Sequence, residues 1–202
     1  LQKVRANRVM VIIDKHYDKF FREAAINAVS AARAAFGFDC PKVVIIENNV
    51  LMRALYSKSG RAVGRVERFE QLCETLEKYR ADYDAVALSS IINVPISYHK
   101  EYYENDDMLN PWGGVEAMLT HTISTLFNIP SAHSPMMESK EIMNLDFGIV
   151  DPRKAAELVS TTYLHCIFKG LHKSPKIIAN QQALNHSGVV NVSDISCLII
   201  PY

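Results

Sequence analysis

Short apolar runs alternate along the chain with longer segments in which apolar residues recur every three or four positions, and that alternation predicts most of the elements. RVMVIID, residues 8–14, is β-rich and too short for a separate helix, so it predicts a strand. Phe21, Ala25, Ala28, Ala32 and Ala35 then recur at helical spacing, with Arg22 and Arg33 on the exposed face and Gly37 closing the helix. KVVIIE, residues 42–47, predicts a second strand. Strand, amphipathic helix and strand in this succession make a βαβ unit, which implies a parallel sheet with right-handed crossovers.

The pattern repeats in type. Val66, Phe69, Leu72, Leu76 and Tyr79 mark a helix starting near Arg65, and DAVALSSII (84–92) predicts the third strand. Segment 93–110 is polar and aromatic, long for a connection, and reads as either a functional lid or an excursion with its own short helix. A helix over 115–128 follows, then NIPSAHSP as a turn-rich exit, then a short strand over 142–149. Asp151–Pro152 starts a helix that runs towards Gly170, although its later half, TTYLHCIF, suits a strand as well. KIIA and SCLII are the last strand candidates. No repeat, low-complexity tract or linker divides the chain. The expectation is a single α/β domain over 1–202, Rossmann-like, with a mostly parallel sheet and helices on both faces. The chain lacks an initiator Met and ends on the apolar stretch ISCLIIPY, which reads as a piece of a longer polypeptide.

Composition narrows the function classes. A hydrophobic fraction of 49% against 22% charged describes a globular chain able to bury a core, not a disordered one. Twenty-two basic residues balance twenty-two acidic ones, which argues against general nucleic-acid binding through phosphate contacts. Aromatic and basic residues interleave at Tyr98–His99–Lys100, but Glu101, Glu104, Asp106 and Asp107 follow at once. No apolar run approaches the ~20 residues of a membrane span and no secretory signal opens the chain, so the expectation is a cytoplasmic protein without a membrane partner. Cys40, Cys73, Cys166 and Cys197 are widely spaced, and the last three read as small buried hydrophobes, not disulfide or zinc positions.

Four stretches carry a family resemblance: SGRAVGRVERFEQL, GGVEAMLTHTISTLFNIPSAHSP, DPRKAAELVSTTYLHCIFKGLHKSPKII and VVNVSDISCLIIP. In their order and spacing they resemble an uncharacterised family of bacterial conserved proteins, a domain of unknown function, over about Asn7 to Pro201. The resemblance implies members that extend further at both ends and lends no activity. His165 stands where it implies a Pro, against one unbroken helix there.

Ligands of open parallel sheets sit outside the carboxyl ends of the strands. Those ends carry Asp14, Lys15 and His16, then Glu47, Asn48 and Asn49, then Ser89, Ser90 and Asn93. SGRAVG (59–64) puts two glycines before a helix, where Arg61 and Arg65 would hold a phosphate or carboxylate. It is neither G-x-G-x-x-G nor a P-loop. Either Asn110–Pro111 starts the next helix or Gly113 and Gly114 form the tight approach to it, and Glu116 in its first turn complements the dipole. A metal reading would recruit Glu116, His121 and His133. Residues five apart on a helix point roughly 140° away from each other, so Glu116 and His121 do not make a ligand pair, and no metal is assigned. His121 shares a small-and-polar stripe with Ala117, Ser124 and Asn128, while His133 leaves the helix on a loop that can return to the same rim. Arg153 at a helix start and the seven-apart pair His165 and His172 are weaker candidates, and no G-x-S-x-G elbow or Cys–His arrangement is visible.

The leading expectation is an enzyme or enzyme-like domain that binds a small anionic metabolite or nucleotide-like ligand at the strand C-terminal rim, with no cofactor identified. Arg61 and Arg65 hold the anion. His121 and His133 exchange protons, and Asp14, Glu47, Asn93, Gly113 and Gly114 line or orient the site. The alternative is a non-catalytic assembly domain whose Tyr-rich segment 98–109 meets a partner. A homo-oligomer fits both.

Overall fold

In the computed structural model, which describes residues 1–160, 162–180 and 188–200, one six-stranded sheet lies between two helical layers. The chain runs β1 (Val9–Asp14), α1 (Lys19–Phe36), β2 (Val43–Ile46), β3 (Leu51–Tyr56), β4 (Ala62–Glu67), α2 (Phe69–Lys78) and β5 (Ala85–Asn93). It continues through α3 (Ile96–Glu104), α4 (Gly113–Phe127), β6 (Ser131–Met136), α5 (Lys140–Met143), α6 (Pro152–Leu158) and α7 (Leu164–His172). The parallel strands lie in the order β2-β1-β5-β6. The antiparallel hairpin β3–β4 joins the far end of β5 through Met52↔Ile92 and Arg53↔Asn93. This is the expected Rossmann-like α/β arrangement.

Side-chain alternation divides the core in two. Met10, Ile12, Val86 and Leu88 point into the layer of α2 and α4, where Leu72, Leu76, Leu119 and Ile123 cover them. Val9, Val11, Ala85 and Ala87 point the other way, under Phe21, Ala25 and Val29 of α1 and Leu164 and Phe168 of α7. All six β1 residues are buried, as a central parallel strand requires. Asp18 caps α1 through the Phe20 N–H, and Gly37 ends it at φ 67°.

Five expectations are corrected. SGRAVG does not lead into a helix: residues 51–56 and 62–67 form the hairpin, Val66 lies on β4, and α2 starts only at Phe69. NIPSAHSP contains β6, so His133 stands on a strand; β6 pairs with β5 alone among the described strands, and an edge strand tolerates Pro135. Segment 142–149 holds the end of α5 and coil, with Ser139 capping that short helix. The helix begun at Asp151–Pro152 stops at Leu158, and a second starts at Leu164 behind Tyr163 in the left-handed region, φ 51°. KIIA contributes only an isolated bridge from Lys176 to Gln2, and residues 195–200 form no strand. Thr161, Pro201 and Tyr202 from these stretches lie outside the described residues. The expected excursion at 93–110 does carry its own helix, α3. Of the cysteines, Cys40 is the buried one, while Cys166 and Cys197 are exposed.

Candidate functional site

Two polar constellations stand at the carboxyl end of the sheet. The first is buried under α4. In the β5–β6 register Val86, Leu88 and Ser90 face Ser131, His133 and Pro135, and all six point towards α4. The two polar members of β6 find partners there. Ser131 Oγ donates to the Thr120 carbonyl at 2.7 Å and shares a hydrogen bond with Ser124 Oγ at 2.9 Å. His133 Nδ1 lies 2.8 Å from Glu116 Oε1, and its Nε2 lies 2.6 Å from Ser90 Oγ. A carboxylate oxygen only accepts, so the ring proton belongs on Nδ1 and Nε2 is left to accept from the Ser90 hydroxyl. Ser90 is 4% exposed and His133 8%, so this Ser–His–Glu line replaces water as the solvent of its own polar atoms. Glu157 of α6 stands nearby; burial raises its pKa and the Glu116 charge adds to that, against opposing hydrogen bonds from Tyr102 and Asn110.

The second constellation is open. A cavity of about 350 Å³ lies where β1, the hairpin and the end of β5 meet, lined by Asp14, Asn49, Arg53, Arg65, Glu67 and Asn93 among others. Arg53 and Arg65 are direct cross-strand partners on β3 and β4, so both guanidinium groups leave the same face of the hairpin. Neither makes a hydrogen bond or ion pair among the described residues. Beside them Asp14 is 1% exposed, and its Oδ2 has no hydrogen-bond partner among the described residues. Burial pushes this carboxyl up to about 7, against the nearby N–H groups of Ile91 and Val50 that favour its charged form. Two depressions elsewhere are larger, at about 400 and 440 Å³, but neither is lined by an arginine or a buried acid. Among the described residues no group of three or more His, Cys, Asp or Glu side chains is arranged to hold a metal ion, and no helix is long and apolar enough to cross a membrane.

Over residues 1–202 the sequence matches a family described as a protein of unknown function, DUF3326. The chain belongs to that family. This DUF3326 chain is 25% identical over 203 residues to an uncharacterized lipoprotein of Synechococcus sp., a match covering all of the chain and 55% of the relative. It thus spans about half the length of the curated relative it matches. No solved structure matches it. The unknown-function family expected from the sequence is the one found.

Against these two constellations the sequence-derived residues of the DUF3326 chain sort cleanly. Asp14, Arg65 and Asn93 meet in the cavity, and Asn93 also donates to Glu138 at 3.1 Å. His133 stands in the buried line. Arg61 lies at the exposed hairpin turn, outside the cavity lining, where its N–H bonds to Ser57. The arginines of the cavity lining are Arg53 and Arg65. Glu47 is exposed and ion-paired to Lys15 at 2.5 Å, and Asn49 clasps the Lys15 backbone from both sides. His16 is buried and fixed: Nδ1 accepts from the Asp18 N–H and Nε2 donates to the Met137 carbonyl.

Gly114 serves packing, whereas a Cβ on Gly113 would meet nothing closer than Asn110 at 3.8 Å. A Cβ on Gly114 would stand 2.2 Å from the Ala62 carbonyl oxygen, and one on Gly64 would stand 2.7 Å from Val115 Cβ, so α4 and β4 touch backbone to backbone. Asn110 Oδ1 takes up the N–H groups of Trp112 and Gly113 at 3.0 Å. His121 is exposed and belongs to neither constellation, because the stripe docked on β6 is Glu116, Thr120 and Ser124, one helical step away from Ala117 and His121. Arg153 is held by Asp151 at 2.7 Å, which lowers that carboxyl to about 2. His165 and His172 share a face, as their spacing implies, and both rings pack on Phe36. Tyr102 and Tyr103 turn inward onto Trp112 and Phe147, so the Tyr-rich segment spends those two rings inside the molecule.

Proposed function

We propose that the chain binds a small anionic metabolite in the cavity at the carboxyl end of the sheet. One observation carries the reading: Arg53 and Arg65 face each other across the hairpin without any partner, beside a buried Asp14 whose Oδ2 also lacks one. Like charges directly opposite on a sheet repel, at a cost of roughly 0.2–1 kcal/mol. A phosphate or carboxylate between the guanidinium groups turns that repulsion into charge-assisted hydrogen bonds. Asp14, near neutrality at pH 7, presents an O–H as readily as a carboxylate, so a hydroxyl of the ligand or a second anionic oxygen can meet it. Asn49 and Asn93 add neutral donors and acceptors along the wall. A phosphorylated or carboxylated metabolite, nucleotide-like ones included, satisfies these groups.

Four free thiols fit a reducing compartment, hence the cytoplasm, while the lipoprotein name of the Synechococcus relative fits a membrane-tethered one; fractionation of the native protein separates the two. Thermal unfolding in inorganic phosphate, nucleotides and di- or tricarboxylates tests the site. A native-state ligand at a hundred times its dissociation constant adds about 2.7 kcal/mol, roughly 5–10 °C for a chain of this size. Stabilisation by one chemical class, lost in Arg53→Ala and Arg65→Ala, is the expected result. A response that survives both substitutions places the ligand elsewhere.

A further inference from the structure

The buried line has a chemistry of its own. We infer that Ser90 Oγ is a nucleophile activated by His133 and positioned through Glu116, and that it acts on a carboxylic ester. This nucleophile stands apart from the anion-binding reading, whose arginines leave the other face of the sheet. The order of contacts is that of a hydroxyl relay: Ser90 Oγ to His133 Nε2 at 2.6 Å, then His133 Nδ1 to Glu116 Oε1 at 2.8 Å. The three groups come from β5, β6 and α4, rigid elements that fix the imidazole on both sides without any loop. The carboxylate selects the tautomer in which Nε2 is free to take the Ser90 proton, and it stabilises the imidazolium that results.

The relay and the arginine pair lie on opposite faces of the sheet, since Ile92 and Met52 pair on the face of Ser90 while Asn93 and Arg53 pair on the other, and Asp14 lies between them. Met10↔Val86 and Ile12↔Leu88 are partners facing α4, and Ile13↔Ser89 follows, so Asp14 comes level with Ser90 on that same face. Neighbouring strands are about 4.8 Å apart, and Asp14 lines the cavity, so Ser90 stands one strand beyond the cavity lining. Attack forms the Ser90 Oγ–acyl bond and passes the Oγ proton to His133 Nε2. The ester C–O bond breaks, and the departing alkoxide takes that proton. Water then adds to the acyl carbon, its proton goes to Nε2, and the Oγ–acyl bond breaks with the proton returned to Ser90. The sum is ester plus water to acid plus alcohol.

An alkyl fluorophosphonate is the probe, since its phosphorus reports a relay-activated serine without needing the arginine pair. Incubation with the whole chain, followed by intact mass and peptide mapping, should give one phosphonyl adduct on Ser90, absent in Ser90→Ala. In His133→Gln, with folding checked by circular dichroism, labelling should slow by about a hundredfold or more. Glu116→Gln should shift the pH profile of the labelling rate, and Glu116→Asp should restore part of the rate; an unmoved profile would reduce Glu116 to packing. A folded native chain left unlabelled, an adduct on another serine, or labelling indifferent to His133→Gln overturns the assignment. Labelling of Ser90 with no thermal response to any anion keeps the nucleophile and removes the anion site; the reverse keeps only the anion site.

Discussion

The two constellations sit side by side at one end of the sheet and are built on opposite principles. Under α4 every polar atom of Ser90 and His133 that the fold buries has a partner, whereas around the hairpin two guanidinium groups and a buried carboxyl oxygen have none. A satisfied buried network stabilises its own geometry, and a charge left unpaired raises the energy of the empty protein. The first region is therefore complete as folded. In the second the guanidinium groups are exposed and hydrated, and only the buried Asp14 Oδ2 is left without a partner.

Perturbing each side should change stability with opposite sign. Asp14→Asn has the largest expected effect. The folded protein keeps its proton up to about pH 7 while the unfolded chain loses it near pH 4, so the native form binds more protons across that window and stability falls as pH rises through it. Three pKa units correspond to about 4 kcal/mol. Urea unfolding should show Asp14→Asn more stable than the parent by up to that amount at pH 8, with little difference at pH 4. Equal stability gaps at the two pH values would remove the titration of Asp14 from the account.

His133→Ala should act the other way, lowering stability by about 3 kcal/mol through a lost side chain and an unpaired Ser90 hydroxyl and Glu116 carboxylate. A double-mutant cycle with Glu116→Gln should return a coupling of about 1–2 kcal/mol, measured by the same urea titration. A coupling near zero would mean that the 2.8 Å contact contributes nothing to the fold. Arg65→Ala comes next. Without ligand it should raise the stability slightly, by at most about 1 kcal/mol, because it removes a repulsion, and it should abolish the phosphate response. Glu47→Ala sharpens the contrast from below: an exposed pair with Lys15 should be worth under about 0.5 kcal/mol, and calorimetry in phosphate should show the ligand response intact.

How much of this was legible follows from the range of each interaction. Parallel strands announce themselves as uninterrupted apolar runs, so β1, β2 and β5 and the helices between them could be read directly. The hairpin carried its own signal: LMRALY alternates exposed with buried positions and AVGRVE half-buried with exposed ones, but a glycine-bounded SGRAVG beside a helical periodicity points to a helix start. Strand β6 was hidden by Ser, His and Pro, residues that a sheet edge accepts. Asp14 and Asn93 were legible because strand ends gather at one rim whatever their order, whereas Arg65 reads as part of a helix start and stands instead on β4. Arg53 needed the register that sets it against Arg65, and the Ser90–His133–Glu116 line needed both the pairing of β5 with β6 and the rotation of α4. That last rotation explains His121: a stripe chosen one residue away points a histidine at solvent.

The contact between Gly114 and Ala62 leaves no slack between the hairpin and the helix that carries Glu116. With backbone against backbone there is no side chain to bend and absorb a displacement, so a shift of β4 is handed on to the first turn of α4. Glu116 follows Gly114 by two positions, and Arg65 follows Ala62 by three. The seam thus works as a stiff linkage, with the arginine at one end and the carboxylate that steadies His133 at the other.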